Sequence, residues 1–367
     1  MAIYVDHTHL GRHITGLERI TLELFSAAAL APLDVVPVTA RGVTQMVMRQ
    51  TFGLPFRLAA SSSILLCPGF PPSPLLRPFA SRVLPYIHDI FLLSRPADLN
   101  PRARLYMSAP FKLALRHYPR FLANSSDTMR KLAAHCRPDA TITLYRPTVR
   151  NVFHLDVTGR TERAEKPLRL VALGTVEPRK NFVAAAQIVG ALRALGYADA
   201  TLEIVGRRGW GDEWRMLERL PGVKLHGYQP ADRVRQLLHD ADLLICTSHD
   251  EGLGLPLLEA QYAGLPIAAP DAAIFREVLD GSGIFIDPGE PDAAAARIAA
   301  MLSEPDWRAR YVELAARNLA RWNALATSDR NVVIALIAKL AGRQAPPRMA
   351  APTIQPGANE ARLDGTT

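Results

Sequence analysis

The chain of 367 residues is 49% apolar and 21% charged with a mean hydropathy of +0.04, which excludes a disordered or fibrous chain and leaves room for two cores. No stretch reaches the roughly 18 apolar residues that a membrane-crossing helix needs, and the opening MAIYVDHTHLGRH lacks a basic-then-apolar leader, so a cytoplasmic protein is expected. Three scattered cysteines, Cys67, Cys136 and Cys246, argue against a disulfide framework and a cysteine zinc site, while the net charge of +8 is lopsided: residues 1–150 carry 18 Lys and Arg against 8 Asp and Glu, the remainder 25 against 27.

In chain order, short apolar or β-branched runs alternate with helical stretches. AIYV, LDVVPV, SILLC, VLPYI, RFLAN and TITL come first, then LRLVAL, TLEIVG, VKLHG, ADLLICTS, LPIAA and GIFI. Several are apolar throughout, as strands covered on both faces of a parallel sheet are, and GLERITLELFSAAAL and FVAAAQIVGALRALG between them are amphipathic. The rhythm predicts an α/β chain of two Rossmann-like halves. The pattern lapses over residues 151–167, NVFHLDVTGRTERAEKP, which is the expected linker. Residues 1–160 then form a first domain and 166–322 a second, with a helix at about 325–342 returning to the first domain. Residues 343–367, rich in Pro, Ala and polar residues, form an expected disordered tail.

Open parallel sheets bind ligands at the carboxyl ends of their strands, so the loops after those strands are the places to look. After LRLVAL come Gly174, then Arg179 and Lys180 just before a helix near Asn181: two cations beside a helix N-terminus suit a diphosphate, though solvent-facing cations would look the same. After ADLLICTS the loop HDEGLGLP leads into the helix LPLLEAQYAG. Gly252 and Gly254 allow close backbone approach, Glu251 faces the cleft from the loop, and Glu259 follows eight positions on. Carboxylates accept well from the paired hydroxyls of a sugar or a ribose.

The stretch EGLGLPLLE has the Glu-x7-Glu spacing of retaining nucleotide-sugar glycosyltransferases, and the chain resembles family 4 of these, which has the GT-B fold. ITGLERITLEL, YIHDI, FLANSSDTMRKL, GTVEPRKN, EIVGRRG and REVLDGSGIFIDPGEPDA agree in order and distance over about residues 5–340. The resemblance implies a catalytic set of His88, Arg179, Lys180 and Glu251, the two cations holding the donor's diphosphate and Glu251 the transferred sugar. It implies ribose binding by Glu259, and contact of donor with the backbone amides of Gly254, Leu255 and Leu257, Pro256 having no N–H. Gly206, Arg207, Gly227 and Tyr228 would line the base pocket. Thr15 and Gly16 would aim a helix N-terminus at the phosphates. Family members often carry Thr-Gly-Ile-Gly-Arg there; this chain has Leu17 and Glu18 before Arg19, which counts against a phosphate role for Glu18.

The expected reaction is retaining, metal-independent hexosyl transfer in bacterial-type polysaccharide or cell-envelope glycan synthesis. A nucleotide-diphosphate sugar serves as co-substrate and no resident cofactor takes part. TGLER is reminiscent of members that use GDP-mannose; a UDP-sugar is the alternative. The resemblance implies that the first domain binds the acceptor, a glycan or a lipid-linked oligosaccharide, and the second the nucleotide-sugar donor. Residues 41–60 and 101–121 mix arginines with Met, Phe, Leu and Tyr, and fit either peripheral contact with an anionic membrane or helices with one packed face. Asp240 and Asp242 form an Asp-x-Asp that reads as helix-end polarity rather than a metal site. Competing classes are a sugar-nucleotide epimerase of the same fold and a noncatalytic membrane or nucleic-acid binder; interleaved aromatics for base stacking are sparse, so no nucleic acid is expected.

Overall fold

The computed structural model describes residues 1–11, 16–99, 101–161 and 167–343, leaving aside the side chains of 101–103. Thr15, the end of the expected linker and the tail from 344 onward lie outside the described residues.

Two six-stranded sheets, each parallel throughout, carry the chain. The first is built from β1 (Ile3–His7), β2 (Val35–Thr39), β3 (Ile64–Cys67), β4 (Val83–Ile87), β5 (Arg120–Ala123) and β6 (Thr141–Leu144), in the spatial order β2-β1-β3-β4-β5-β6. The second takes β7 (Arg169–Leu173), β8 (Thr201–Val205), β9 (Val223–Gly227), β10 (Leu243–Ile245), β11 (Ile267–Pro270) and β12 (Gly283–Ile286), in the order β12-β11-β10-β7-β8-β9. All twelve runs read as strands from the sequence are strands. The central β3, β4, β10 and β11 are buried at every position and are apolar throughout, whereas the edge strands β2, β6 and β9 expose alternate or successive residues.

In each sheet the strand order reverses once, between β1 and β3 in the first and between β7 and β10 in the second. A crevice opens at the carboxyl ends of the strands on either side of such a reversal, because the helices that follow them leave to opposite faces. These two reversals position everything that follows.

One apolar cluster runs through both halves. It joins Ile3, Phe25 and Leu84 of the first to Leu244, Leu258 and Ile267 of the second, with Trp322 at the junction. The helix Trp307–Leu340 crosses between them. Tyr311 packs in the second half, Trp322 Nε1 donates to the Pro147 carbonyl at 2.9 Å, and Arg330 Nε donates to the Ala29 carbonyl at 2.7 Å. The segment read as a linker is anchored at two points, Leu155 and Arg160, with residues 156–159 between them exposed: Arg160 is buried and donates to the Ala241, Leu238 and His239 carbonyls at the end of the helix Ala231–Asp240.

Glu277 ties the halves as well. Its carboxylate accepts from the backbone N–H groups of Ser126 and Asp127, the first turn of the first-half helix Ser126–Ala133, at 2.8 and 3.0 Å. An anion at a helix N-terminus satisfies donors that the helix itself leaves open. Arg146, buried, then bridges Glu277 and Asp329. Among the described residues no helix is long and apolar enough to cross a membrane.

Candidate active site

The loops after β7 and β10 face one another across the second reversal and are hydrogen-bonded together. Glu177 and Pro178 lead into a single tight turn, Pro178–Lys180, and Asn181, at φ 51°, reverses the chain into the helix Phe182–Ala194. The opposing loop grips this turn through Thr247 Oγ1, which donates to the Asn181 carbonyl at 2.8 Å, and through His249 N, which donates to the Arg179 carbonyl at 2.9 Å. Three of the expected catalytic residues meet there. Arg179 Nη1 donates to Glu251 Oε2 at 3.0 Å, Lys180 Nζ pairs with Glu251 Oε1, and Ser248 Oγ donates to the same oxygen at 2.7 Å. Arg179 Nη2 reaches Glu177 at 2.8 Å. Burial alone would push the Glu251 carboxyl up; the charges of Lys180 and Arg179 and the bonds from Lys180 and Ser248 outweigh it and hold the pKa at about 2. Glu251 is therefore an anion at any physiological pH. Glu177 and Ser248 had no role in the sequence reading. Both are charge or hydroxyl neighbours within three residues of a named site residue, a signal visible only once the loop geometry is known.

The glycines divide by cause. Gly254 takes φ 80° to start the helix Leu255–Ala260, a conformation that side chains resist. Gly252 is required by packing: a Cβ there would lie 2.3 Å from the His88 carbonyl oxygen. Leu255 and Leu257 are buried, so only their backbone could face a ligand, and the Leu257 N–H already donates to the Gly254 carbonyl at 2.9 Å. The turn that starts the helix thus already engages one of the three amides expected to meet the donor. Gly174, Gly206 and Gly227 end β7, β8 and β9 side by side. Gly206 N donates to the Gly227 carbonyl at 2.9 Å, and a Cβ on Gly206 would lie 1.8 Å from the Gly174 oxygen. Strand-end contact explains Gly206 without a ligand. Beside them the Arg207 guanidinium stacks on the Tyr228 ring at 4.6 Å, and Tyr228 is 69% exposed.

Glu259, one turn into its helix, is only 3% exposed and pairs with Arg19 of the first-half helix Gly16–Phe25; Arg19 also lies 3.6 Å from Glu23. Burial raises the Glu259 carboxyl pKa against the pull of Arg19. Gly16 opens that helix, and a Cβ there would touch nothing within 4 Å, so the fold itself does not demand glycine. Glu18 is buried.

From the first half, His88 follows β4. Its Nε2 lies 2.6 Å from the Pro68 carbonyl, which can only accept, so Nε2 carries the proton and Nδ1 is the acceptor. Burial lowers the His88 pKa to about 4, and the ring is neutral. The His88 carbonyl accepts from Asn124 Nδ2 at 2.7 Å. Asp89 beside it caps Phe91 N at 2.9 Å; burial raises its pKa to about 6 against the pull of Phe91 N and Arg179, with Asp250 and Glu251 adding to the rise. The Glu251 loop is held to the first half by side chains the sequence reading quoted but gave no role. Ser125 and Thr128 hydroxyls donate to the Gly252 carbonyl at 3.2 and 3.3 Å, and Lys131 Nζ reaches both Asp250 oxygens at 2.9 and 3.0 Å. Asp242 of the Asp-x-Asp is buried, accepts from Arg169 N at 3.0 Å and pairs with Arg308. Among the described residues no group of three or more His, Cys, Asp or Glu is arranged to hold a metal ion.

Two facing Rossmann-like sheets with a charged crevice at the reversal of the second constitute the GT-B fold. The sucrose-phosphate synthase of Thermosynechococcus elongatus superposes on 92% of this chain and 99% of its own with a TM-score of 0.69 at 15% identity, a likeness of fold. Residues 158–318 match the family described as glycosyl transferases group 1. Among curated proteins, the O-antigen chain mannosyltransferase B of Escherichia coli is 34% identical over 141 residues, 37% of each chain. The D-inositol 3-phosphate glycosyltransferase of Thermobispora bispora is 26% identical over 286 residues, 74% of this chain and 61% of the relative. The chain thus spans less than two thirds of the length of these relatives.

Proposed function

We propose that the protein is a retaining glycosyltransferase that moves a hexose, mannose from GDP-mannose as the first choice, to a glycan or lipid-linked oligosaccharide in polysaccharide or cell-envelope glycan synthesis. The observation that carries this reading is the meeting of Arg179, Lys180 and Glu251 at the β7/β10 reversal: two cations for a diphosphate and an anion for sugar hydroxyls, within hydrogen-bond distance of one another. The name of the Escherichia coli relative, a mannosyltransferase, supports the choice of sugar.

In the reaction the acceptor oxygen bonds to C1 of the donor sugar on the face from which the nucleoside diphosphate leaves. The bond from C1 to the phosphate oxygen breaks, and the acceptor's proton passes to that departing oxygen. The protein needs no general base of its own and no metal. Arg179 and Lys180 stabilise the charge that gathers on the leaving phosphate, the term that usually dominates such catalysis. Neutral His88 accepts a donor-sugar hydroxyl at Nδ1, Glu251 a further pair, and Glu259 the ribose after exchange with Arg19. Gly16 and the ends of β7, β8 and β9, with the Arg207–Tyr228 stack, receive the phosphates and the base.

A peripheral membrane role belongs to the same reading. Met48, Phe52, Phe56 and Leu105 are exposed, Phe56 at 75% and Leu105 at 86%, and Arg49, Arg57 and Arg104 stand among them. Exposed apolar side chains with arginines beside them in sequence suit the cytoplasmic face of an anionic membrane, where a lipid-linked acceptor resides.

Titration calorimetry with GDP, UDP and ADP tests the donor. Binding of GDP with a micromolar Kd is expected; a preference for UDP would change the donor, and no binding by any of the three would overturn the donor site.

A further inference from the structure

One face of the second sheet is apolar beneath the helix Ala231–Asp240 and charged beside it. Val171, Val205 and Leu244 belong to one apolar cluster with Val234 and Leu237 of that helix. Glu203 lies two residues before Val205, so it shares this face of β8, and the pairing with β9 sets it opposite Lys224. β8 is an interior strand, and the Glu203 side chain is only 12% exposed. Neighbours on β9 hold it there: His226 Nε2 lies 3.0 Å from one carboxylate oxygen and Lys224 Nζ 3.5 Å from the other. One strand over, Arg169 opens β7 two residues before Val171 and shares the same face.

These side chains border a cavity of about 190 Å³ between sheet and helix. The helix lends it Arg233, Leu237 and Asp240, which stand at i, i+4 and i+7 and therefore on one side of the helix. Three cations, Arg169, Lys224 and Arg233, thus meet two carboxylates, Glu203 and Asp240. Lys224 is engaged by Glu203, and Arg233 bonds to a neutral group, Gln236, at 3.0 Å. The half-buried Arg169 guanidinium pairs with no carboxylate among the described residues. Its backbone is clasped all the same: Asp242 accepts from Arg169 N at 3.0 Å, Asp242 N donates to the Arg169 carbonyl at 2.8 Å, and the Asp242 carboxylate pairs with Arg308. The end of the helix is fixed too, since Arg160 takes its last carbonyls. A half-buried cation without a counter-ion, set in a rigid wall, is a place for an anion from solution.

We propose that this cavity binds a sugar monophosphate, with its phosphate between Arg169 and Arg233 and its hydroxyls on Glu203. Each guanidinium can grip two phosphate oxygens at once. Each Glu203 oxygen has one donor already and keeps a lone pair for a hydroxyl. Inorganic phosphate brings the charge without the hydroxyls that would offset two neighbouring carboxylates, and a free sugar brings hydroxyls without the charge. The site is separate from the candidate reacting centre: Arg169 to Leu173 is about 13 Å of strand, and the charged crevice lies at the far, carboxyl end of β7. The occupant is therefore a bound ligand rather than a reactant, and the assignment stands apart from the donor reading.

Calorimetric titration of the full chain with D-mannose 6-phosphate, D-glucose 1-phosphate, inorganic phosphate and free mannose tests it. At least one sugar phosphate is expected to bind with a Kd below about 1 mM, and at least about tenfold more tightly than inorganic phosphate or mannose. Arg169→Gln and Arg233→Gln should each weaken that binding about tenfold or more, the loss of a charge-assisted hydrogen bond, and Lys180→Ala should leave it unchanged. Arg233 is exposed on its helix, so Arg233→Gln keeps the test valid if Arg169→Gln misfolds. No binding of either sugar phosphate, equal binding of inorganic phosphate, or binding lost in Lys180→Ala and kept in Arg233→Gln would overturn the site. Failure of wild type to bind any nucleotide, with sugar-phosphate binding intact, would instead overturn the donor reading.

Discussion

The crevice between β1 and β3 and the crevice between β7 and β10 occupy equivalent places in their sheets and are furnished in opposite ways. In the second, the side chains at the centre are joined by ion pairs, and the members, Glu177, Arg179, Lys180 and Glu251, all lie in the two loops that follow the flanking strands. In the first, one buried carboxyl, Asp6, accepts from Thr8, two positions on, and from Gln50, 44 positions on, whose amide also donates to Thr8. The same topology therefore hosts two kinds of contact: preorganised ions in a low dielectric in the second half, and neutral donors around one carboxyl in the first. The halves also differ in what secures their carboxylates. Glu251 is held by cations of its own half, whereas Glu259, eight residues on, is held by Arg19 from across the cleft.

The largest expected effect tests the charged crevice. Lys180→Ala should lower transfer by ~10² to 10³, roughly 3 to 4 kcal/mol of transition-state stabilisation, and Arg179→Ala by a similar factor. Steady-state kinetics of donor turnover would measure it. A loss under tenfold in both would mean that these cations serve Glu251 alone and that the contrast between the crevices is structural.

Next comes a difference of sign at the wall between them. The His88 pKa is lowered to about 4 by burial, so between pH 6.5 and 4 the unfolded chain binds the proton and the folded one does not; its contribution to stability falls on acidification. Asp89, raised to about 6 by burial against Phe91 N and Arg179, behaves oppositely: the folded chain keeps the proton, and the contribution is lost as pH rises from 3.8 through 6. In wild type the two slopes largely cancel between pH 4 and 6. Relative to wild type, His88→Asn should gain stability on acidification across that window and Asp89→Asn should lose it, each by roughly 1.4 kcal/mol per pH unit. Urea unfolding at three pH values would show it; parallel curves for all three proteins would refute both assignments.

A smaller effect separates the two glutamates. Glu259→Ala should weaken the binding nucleotide about tenfold, near 1.4 kcal/mol, if the ribose takes the place that Arg19 holds. Arg19→Ala should instead leave a buried carboxyl to take up a proton, so nucleotide affinity should become steeper with pH than in wild type. Titration of both variants at two pH values distinguishes a ribose ligand from a clasp between halves.

The charged crevice was legible because its residues sit in short runs, GTVEPRKN and HDEGLGLP, each behind an apolar strand, so loop position and residue type already spoke for chemistry. The strands β3, β4, β10 and β11 were legible because central strands of a parallel sheet are apolar without interruption, and the others because short apolar or β-branched runs alternate with helical stretches. The neutral crevice was not legible. Asp6, Gln50 and Tyr106 are 44 and 56 positions apart in successive steps, and no local period links a strand end, a π turn and a helix face. Nor was the engagement of the Leu257 amide, which follows from the turn at Gly254 rather than from composition. Arg19 was read as part of a motif, and only its reach across the cleft to Glu259 gives it a partner.

The smallest expected effect sits where the two halves meet. Lys131 Nζ lies 2.8 Å from Asp127 and 2.9 Å from Asp250, the residue before Glu251, and its side chain is 35% exposed. Exposure lets water and salt screen both pairs, so Lys131→Met, which keeps the length of the side chain and removes the charge, should cost less than about 1 kcal/mol in unfolding and less still in high salt. Ser125 and Thr128 hold the Gly252 carbonyl from the same helix region and should keep the Glu251 loop in place. Transfer should then change no more than a few-fold. A loss as large as that of Lys180→Ala would place the control of the charged crevice in the first half's grip on the loop, and the division of labour between the two crevices would have to be redrawn around that contact.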